Sequence, residues 1–203
     1  GLAEASCRAE RFIGMHFFSP VERMPLVEII RGTRTGDEAL ALALDLARAF
    51  GKTPIVVNDS RGFFTSRVFG TYCYEGQKLL EEGVAPALIE NAGRFAGMPV
   101  GPLAVMDEVS LALQYHVVKQ TELDLGAAFV PPIGWNVLRH FVEDLKRVGR
   151  KAGAGFYEYP AGGRKFLWPD LAHEYPLAAR QPSLESVKQR LLYVQALESA
   201  RCL

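Results

Sequence analysis

The hydrophobic pattern of this 203-residue chain changes at residues 58–62, where turn-forming residues follow one another as Asn-Asp-Ser-Arg-Gly. Before this run, short apolar segments rich in β-branched and aromatic residues predict strands. After it, apolar residues recur at the three- and four-residue spacing that is typical of helices. We therefore predict an α/β layer up to residue 59 and an all-α region beyond it.

The first region predicts a partly parallel sheet. Its predicted elements are the end of a short helix at 3–10, strands at 11–18, 25–30 and 54–57, and an amphipathic helix at 37–50. A single helix between the second and third strands fits a parallel crossover, because parallel neighbours cannot be joined by a tight turn. Gly51 is expected to end that helix.

The second region predicts helices almost throughout. These helices cover residues 63–82, 86–96, 103–119, 135–148 and 183–203, with an irregular segment at 121–136. Ser183 is expected to cap the last helix. We divide the chain into three parts: 1–59, 60–182 and 183–203. Both ends lie in or next to helical patterns, so we expect the chain to be a piece of a longer protein.

Composition excludes several classes of protein. The chain has 23 basic and 23 acidic residues, whereas nucleic-acid-binding proteins rely on a basic surface. The three cysteines are far apart and no histidines have metal-ligand spacing, so neither a disulfide framework nor a metal site is expected. No apolar run reaches the roughly 18 residues of a membrane span, and the first residues lack the basic-then-apolar order of a signal peptide. We expect a cytoplasmic protein.

A histidine and a glutamate interrupt two consecutive apolar strands. His16 lies between Met15 and Phe17, and Glu28 lies in the apolar run PLVEII. A buried carboxylate costs on the order of several kcal/mol unless it is paired or hydrogen-bonded, so the two polar side chains could meet. A carboxylate bonded to one ring nitrogen leaves the other nitrogen as a base. The structural alternative is a satisfied core histidine with an outward-facing glutamate.

The remaining histidines and the glycine-rich segment give weaker signals. For His116, His140 and His173, a structural or solvated role is the simpler interpretation. Residues 153–155 begin like the GxGxxG dinucleotide fingerprint, but a glutamate replaces the last glycine and no helix follows. We predict no phosphate-binding loop in this chain. Lys151, beside that segment, could reach a phosphate or ribose, although a solvated lysine is the simpler interpretation.

Four motifs, in order along the chain, resemble those of the 3-hydroxyacyl-CoA dehydrogenase family. They are GMHFFSPVERMPLVEII (14–30), NDSRGFFTSR (58–67), GMPVGPLAVMDEV (97–109) and GRKAGAGFYEY (149–159). The segment from Leu184 onward resembles the start of the second helical repeat in multifunctional fatty-acid β-oxidation proteins. The resemblance covers nearly the whole chain. It implies the C-terminal portion of a Rossmann-type NAD domain, followed by a helical domain like that of 6-phosphogluconate dehydrogenase.

Carried over by position, the resemblance implies roles for five residues. His16 would be the catalytic base and Glu28 its partner. Ser19 and Lys151 would contact NAD, and Ser66 would contact the substrate. At both serine positions most family members have an asparagine. The family's GxGxxG loop and its substrate-contacting serine are expected upstream of this chain.

The implied reaction is the NAD-dependent oxidation of an L-3-hydroxyacyl-CoA to the 3-ketoacyl-CoA. The implied partners are the acyl-CoA and a second copy of the chain, bound through the helical domain. One alternative is a catalytically incomplete dimerisation and substrate-cleft module, which titration with NADH would distinguish. Another is a 6-phosphogluconate-type dehydrogenase. That class would need a catalytic lysine in the helical domain, and the strand-borne His16 and Glu28 argue against it.

Overall fold

The computed structural model describes residues 2–202 and divides the chain into two compact units, Gly1–Arg67 and Val68–Leu203. The first unit contains a three-stranded sheet with a helix packed on one face. The second unit is built mainly from helices. This order agrees with the fold class that the hydrophobic pattern predicts. Leu203, the last residue of the predicted final helix, lies outside the described residues.

The sheet of the first unit has three strands: β1 (Gly14–Phe17), β2 (Leu26–Arg31) and β3 (Thr53–Asn58). β1 and β2 are antiparallel neighbours, whereas β2 and β3 are parallel. Helix α1 (Asp37–Ala49) makes the predicted crossover between β2 and β3. Gly51 follows it with a φ of 68°, a left-handed conformation that glycine adopts without strain.

Strand β2 is buried on both faces, but the two faces differ in chemistry. Val27 and Ile29 point to one face, where they pack with Ala43 and Ala47 of α1. Because successive side chains of a strand alternate between faces, Glu28 points to the opposite face. Glu28 is nevertheless fully buried. A charged side chain at such a position needs hydrogen bonds to compensate for the loss of water.

The helices after the sheet are α2 (Thr65–Glu81), α3 (Pro86–Phe95), α4 (Pro102–Val109), α5 (Leu111–Leu125), α6 (Trp135–Glu143), α7 (Leu171–Glu174) and α8 (Leu184–Arg201). Two short strands, β4 (Tyr157–Glu158) and β5 (Phe166–Leu167), pair antiparallel between α6 and α7. Buried apolar side chains from these helices and from β4 form the core of the second unit. Within residues 2–202, no helix is long and apolar enough to cross a membrane.

The prediction of one helix at residues 103–119 is wrong, because the structure has two helices that are separated at Ser110. Ser110 has a φ of 93°, which breaks the helical path. Its main-chain NH donates to the Met106 carbonyl at the end of α4, and its hydroxyl accepts from the Leu113 NH at the start of α5. A serine is a favourable N-cap, but helical apolar spacing on both sides conceals this signal in the sequence.

Two further helix boundaries differ from the prediction. Helix α5 continues to Leu125, so the segment predicted as irregular, 121–136, begins as helix. Helix α6 ends at Glu143 and does not extend over the predicted range 135–148. Lys146 has a positive φ of 56°, which turns the chain away from the helix axis. The early end of α6 thus depends on a backbone turn that apolar spacing does not encode.

The N-terminal elements are also shorter than predicted. The segment 3–10 forms no continuous helix, since the structure has 3₁₀ helices at Leu2–Ala5 and Ala9–Arg11. The predicted strand 11–18 pairs with β2 only from Gly14 onward. The apolar residues before Gly14 lengthen the strand pattern without taking part in the sheet.

Two sequence motifs meet at Asp107, which is buried near the end of α4. Its carboxylate accepts hydrogen bonds from the main-chain NH groups of Phe156 and Tyr157, both at 2.9 Å, and from the Tyr159 hydroxyl at 3.1 Å. A Cβ atom at Gly155 would lie 2.0 Å from Oδ1 of Asp107. The glycine-rich segment therefore packs around a buried carboxylate, and its glycine is required by that close approach.

Candidate active site

His16 and Glu28 are directly opposed residues in the antiparallel pair of β1 and β2. Opposed residues of such a pair point to the same face of the sheet, which here is the face away from α1. Nδ1 of His16 lies 2.7 Å from Oε2 of Glu28, which is a hydrogen-bond distance. The two polar side chains that interrupt the apolar strands are therefore in contact.

The Glu28 carboxylate accepts three more hydrogen bonds at the start of α2. Oε1 accepts from the main-chain NH of Phe64 at 3.1 Å and from that of Thr65 at 2.8 Å. Oε2, which also accepts from His16, accepts from the Thr65 hydroxyl at 2.8 Å. Each carboxylate oxygen thus has two donors, as a buried ionised carboxylate requires. The negative charge also lies at a helix N-terminus, where the helix dipole stabilises it.

The surroundings of Glu28 keep it ionised at neutral pH. Burial raises the pKa of this carboxyl, but the hydrogen bonds from His16, Thr65 and Phe64 lower it by more, so the net pKa lies below the usual 4.5. A carboxyl with a lower pKa in the folded than in the unfolded chain stabilises the fold when it is ionised. This contribution is present above about pH 4.5 and is lost as the pH falls through the folded-state pKa.

The contact with Glu28 determines which ring nitrogen of His16 carries the proton. An ionised carboxylate only accepts hydrogen bonds, so Nδ1 is the donor and Nε2 of the neutral ring has the free lone pair. The His16 side chain exposes 35% of its surface. Its ring packs against the rings of Phe18 and Phe63, with centroids 4.7 and 5.7 Å away. Nε2 is therefore a base on a half-exposed ring whose orientation is held from three sides.

The other residues that the resemblance assigns to the site lie at exposed positions. Ser19 is in the turn after β1, and Ser66 is the second residue of α2. Lys151 belongs to the second unit, where it lies in a short 3₁₀ helix. Of the five residues, the structure brings His16 and Glu28 into contact. Ser66 directly follows, on the chain, a residue that hydrogen-bonds Glu28.

Two residues that contact the His16–Glu28 pair, Phe63 and Thr65, are not identified by the sequence patterns. Phe63 has a φ of 47°, which is uncommon for a residue other than glycine, and it follows Gly62 with a φ of 76°. This turn places the Phe63 ring against His16 and the next two NH groups against Glu28. The available signal is a glycine followed by two aromatics and a threonine at a helix start.

Lys52, directly before β3, holds the loop between β1 and β2. Its ammonium group donates to the main-chain carbonyls of Val21 and Met24. The same loop carries Ser19. Since β1 leads into this loop and β2 leads out of it, Lys52 supports the register that places His16 opposite Glu28.

His140 and His116 have side-chain partners outside this pair. The two ring nitrogens of His140 lie 2.7 Å from an Asp144 oxygen and 2.9 Å from a Glu174 oxygen. Both hydrogen bonds raise the pKa of His140, and the bond to Glu174 has the larger effect. Nδ1 of His116 lies 2.6 Å from a main-chain carbonyl of its own helix. In the described part of the chain, no group of three His, Cys, Asp or Glu side chains could hold a metal ion.

A cavity of about 650 Å³ lies in the first unit, beside the N-terminal 3₁₀ helices and the end of β2. Its lining includes Gly14, Arg34, Asp59 and Phe63, but neither His16 nor Glu28. The pair of His16 and Glu28 offers a base with an ionised partner, so we place the candidate chemistry there.

Both units match models of one protein family. Residues 1–60 match the NAD-binding domain of 3-hydroxyacyl-CoA dehydrogenase, and residues 62–159 match the C-terminal domain of the same enzyme family. The fatty acid oxidation complex subunit alpha of Shewanella sp. strain MR-7 is 36% identical over 208 residues, covering 100% of this chain and 29% of that protein. The chain therefore spans less than a third of the length of such curated relatives.

Solved structures of dehydrogenases are also similar to this chain. The (S)-3-hydroxybutyryl-CoA dehydrogenase of Ralstonia eutropha is 36% identical with a TM-score of 0.72, covering 79% of this chain and 56% of that one. The dehydrogenase part of multifunctional enzyme 1 of C. elegans is 26% identical with a TM-score of 0.70, covering 99% and 46%. The second match extends over both units of the chain.

Proposed function

Because the chain belongs to the 3-hydroxyacyl-CoA dehydrogenase family, we propose that it supplies the catalytic base for NAD-dependent oxidation of an L-3-hydroxyacyl-CoA to the 3-ketoacyl-CoA. The observation that carries this proposal is the hydrogen bond between His16 and the buried Glu28. A histidine held by an ionised carboxylate is suited to take a proton from an alcohol. The similarity to fatty acid oxidation complex subunits supports a role in fatty-acid β-oxidation.

In the proposed reaction, Nε2 of His16 accepts the proton of the C3 hydroxyl group. The electrons of the breaking O–H bond form the carbonyl, while the C3–H bond breaks and its electron pair leaves with the hydrogen as hydride. NAD, when bound, is the hydride acceptor. Glu28 stabilises the imidazolium that forms and keeps the proton on Nδ1. The products are the 3-ketoacyl-CoA, NADH and a proton carried by His16.

Two exposed side chains, those of Ser19 and Lys151, carry hydrogen-bond donors that suit the phosphate and hydroxyl groups of NAD. Ser19 presents an exposed hydroxyl group in the turn that follows the His16 strand. Lys151 presents an exposed ammonium group, which suits a phosphate or a ribose hydroxyl. Residues 1–60 match the NAD-binding domain of the family, whose cofactor is NAD. We propose that Ser19 and Lys151 contact NAD and that Ser66 contacts the acyl-CoA.

The test of this function is an assay of the complete protein with NAD and L-3-hydroxybutyryl-CoA, in which NADH formation is followed by absorbance. We expect turnover with the L isomer and none with the D isomer. The matched binding measurement is a fluorescence titration of the same protein with NADH. NADH binding without turnover of any L-3-hydroxyacyl-CoA would contradict the proposal. It would favour the alternative, a dimerisation and substrate-cleft module without its own chemistry.

We also propose that the second unit pairs with a second copy of the chain through α5. Leu111 and Val118 of this helix are buried in the unit, whereas Leu113 and Val117 expose 54% and 51% of their surfaces. Residues four apart lie on the same face of a helix, so the two exposed side chains form an apolar strip. An apolar helix face of this kind is suited to cover its counterpart in a dimer.

Exchanging both exposed residues for glutamate, Leu113→Glu with Val117→Glu, is expected to convert a dimer into a monomer in sedimentation velocity. In the dimer, the two new carboxylates of one protomer would face those of the other. They would repel each other and would lose their contact with water, which destabilises the interface. Leu42→Glu is the matched control, since Leu42 is similarly exposed but lies on α1 of the first unit. A wild-type protein that sediments as a monomer, or a double variant that remains a dimer, would exclude this interface.

We propose that the chain comprises three parts: the end of an NAD domain at 1–59, a helical domain at 60–182 and the start of a second helical repeat at 183–203. The Ser183 hydroxyl accepts from the main-chain NH of Ser186 at 3.1 Å and caps α8, so a new helix begins there. Arg190 joins this helix to α2 through Glu75, with 2.6 Å between Nε and Oε1. These contacts support α8 as a distinct element packed on the helical domain.

We propose a cytoplasmic location. All three cysteines are free, which fits a reducing compartment. Burial raises the pKa of the Cys73 thiol to about 12, so this residue is an inert part of the core. Cys7, by contrast, is exposed and would be open to oxidation in an oxidising compartment.

A further inference from the structure

We propose that Thr65 is a positioning residue for this reaction: it holds the Glu28 carboxylate in the orientation that keeps Nδ1 of His16 protonated. This inference rests on the proposed function, because it concerns the same pair of side chains. Thr65 would join His16 and Glu28 in the site, and it would act through Glu28. Thr65 does not need to touch the substrate or the cofactor for this role.

The geometry around the carboxylate supports the inference. Thr65 donates twice to Glu28, from its main-chain NH to Oε1 and from its hydroxyl to Oε2, with both distances at 2.8 Å. Oε2 is the oxygen that also accepts from Nδ1 of His16, at 2.7 Å. A carboxylate that is bound through both oxygens by one residue cannot turn about its terminal bond without losing hydrogen bonds. The hydroxyl therefore fixes the oxygen that faces the imidazole.

The Thr65 hydroxyl, at the first residue of α2, has a different kind of partner from a threonine farther along the same helix. Serine and threonine hydroxyls in helices commonly bond to a main-chain carbonyl of the preceding turn. Thr71, six residues later in α2, does so by donating to the Val68 carbonyl at 2.7 Å. The Thr65 hydroxyl donates instead to a side chain 37 positions away in the sequence. The helix start is thus joined to the sheet by the hydroxyl as well as by the backbone.

This arrangement also relates the proposed base to the proposed substrate residue. Ser66 follows Thr65 in the first turn of α2. Thr65 and His16 both hydrogen-bond the Glu28 carboxylate. The start of α2 and the proposed base are therefore positioned by the same group. Loss of the Thr65 hydroxyl would therefore act on the orientation of the Glu28 carboxylate and, through it, on the orientation of the imidazole.

The test compares Thr65→Val, which removes the hydroxyl but keeps the shape, with Thr65→Ser, which keeps the hydroxyl. Loss of one hydrogen bond to a charged group typically changes an equilibrium or rate constant by about tenfold. We therefore expect kcat of Thr65→Val to fall about tenfold. The KM values for NAD and the acyl-CoA should stay unchanged, and Thr65→Ser should restore kcat. Thr71→Val is the matched control, because it removes a hydroxyl bond from the same helix away from Glu28.

A second readout does not depend on activity. The Glu28 carboxyl carbon can be titrated by NMR in the wild type and in each variant, and His16, the titratable group that contacts it, can be followed in the same samples. The Thr65 hydroxyl lowers the pKa of Glu28, so Thr65→Val should move this titration to higher pH and Thr65→Ser should not. An unchanged titration in Thr65→Val would overturn the positioning role even in an active enzyme. A wild type without dehydrogenase activity would instead remove the proposed function, while the titration would still decide whether Thr65 holds Glu28.

Stability measurements complete the comparison, since Thr65→Val could also loosen the start of α2. Denaturant midpoints are measured for all three variants. Equal losses of kcat and of stability in Thr65→Val and Thr65→Ser would show a purely structural contribution and would overturn the inference. A loss of kcat in Thr65→Val alone, at a retained midpoint, supports it.

Discussion

Glu28→Gln is expected to lower kcat by about 10²- to 10⁴-fold while the protein stays folded. The amide oxygen of glutamine can still accept from the NH groups of Phe64 and Thr65, but its NH₂ group would face Nδ1 of His16. An NH₂ group only donates, so the imidazole proton would move from Nδ1 to Nε2. The nitrogen that should accept the substrate proton would then carry one already. In serine proteases, the equivalent exchange of aspartate for asparagine costs about 10⁴-fold for the same reason.

The structural effect of this variant should be small and dependent on pH. Loss of charge-assisted hydrogen bonds is expected to cost about 1 to 3 kcal/mol of unfolding free energy at neutral pH. The difference from wild type should shrink as the pH falls below about 4.5 toward the folded-state pKa of Glu28, which its hydrogen bonds hold below that value. Glu22→Gln is the matched control, because the Glu22 side chain is 73% exposed in the loop between the same two strands. Near-wild-type kcat in Glu28→Gln would reject the role of Glu28.

His16→Gln is expected to lower turnover by about 10²- to 10⁴-fold in the complete protein, because general-base catalysis is lost. NADH binding should survive, since the side chains proposed to contact NAD are Ser19 and Lys151. Steady-state turnover and a fluorescence titration with NADH measure the two effects separately. His116→Gln, at an exposed position on α5, is the control and should change neither.

The two outcomes of the His16→Gln experiment have distinct meanings. Retained turnover would exclude His16 as the base and would make the contact with Glu28 a purely structural pair. Loss of NADH binding together with turnover would show that the variant disturbs the fold or the cofactor site. The expected combination is loss of turnover with NADH binding retained.

Much of the first unit follows from local sequence patterns. Apolar runs alternating with one amphipathic helix predict the order of β1, β2, α1 and β3, and the parallel crossover follows from that order. The contact between His16 and Glu28 was foreseeable because a lone polar residue in each of two neighbouring buried strands needs a partner. The family and its cofactor, expected from four motifs, are confirmed by the matches of residues 1–60 and 62–159.

The remaining features depend on contacts between distant segments, which spacing along the chain does not encode. Ser110 breaks an apolar helical pattern with a positive φ, and Thr65 directs its hydroxyl to a carboxylate on another element. The aromatic ring of Phe63 reaches His16 only because of an uncommon backbone turn after Gly62. Each of these features depends on the backbone or side-chain conformation of one residue. The sequence shows the residue type at each position but not the partner that selects its conformation.

The most direct test of the central claim is the nitrogen NMR spectrum of the His16 ring at neutral pH, assigned with the His16→Gln variant. For the neutral ring of the wild type, the structure predicts a protonated Nδ1 and an unprotonated Nε2, since Glu28 is an ionised acceptor. It predicts the reverse in Glu28→Gln. A wild-type ring with its proton on Nε2, or the same tautomer in both proteins, would contradict the account of how this histidine becomes a base.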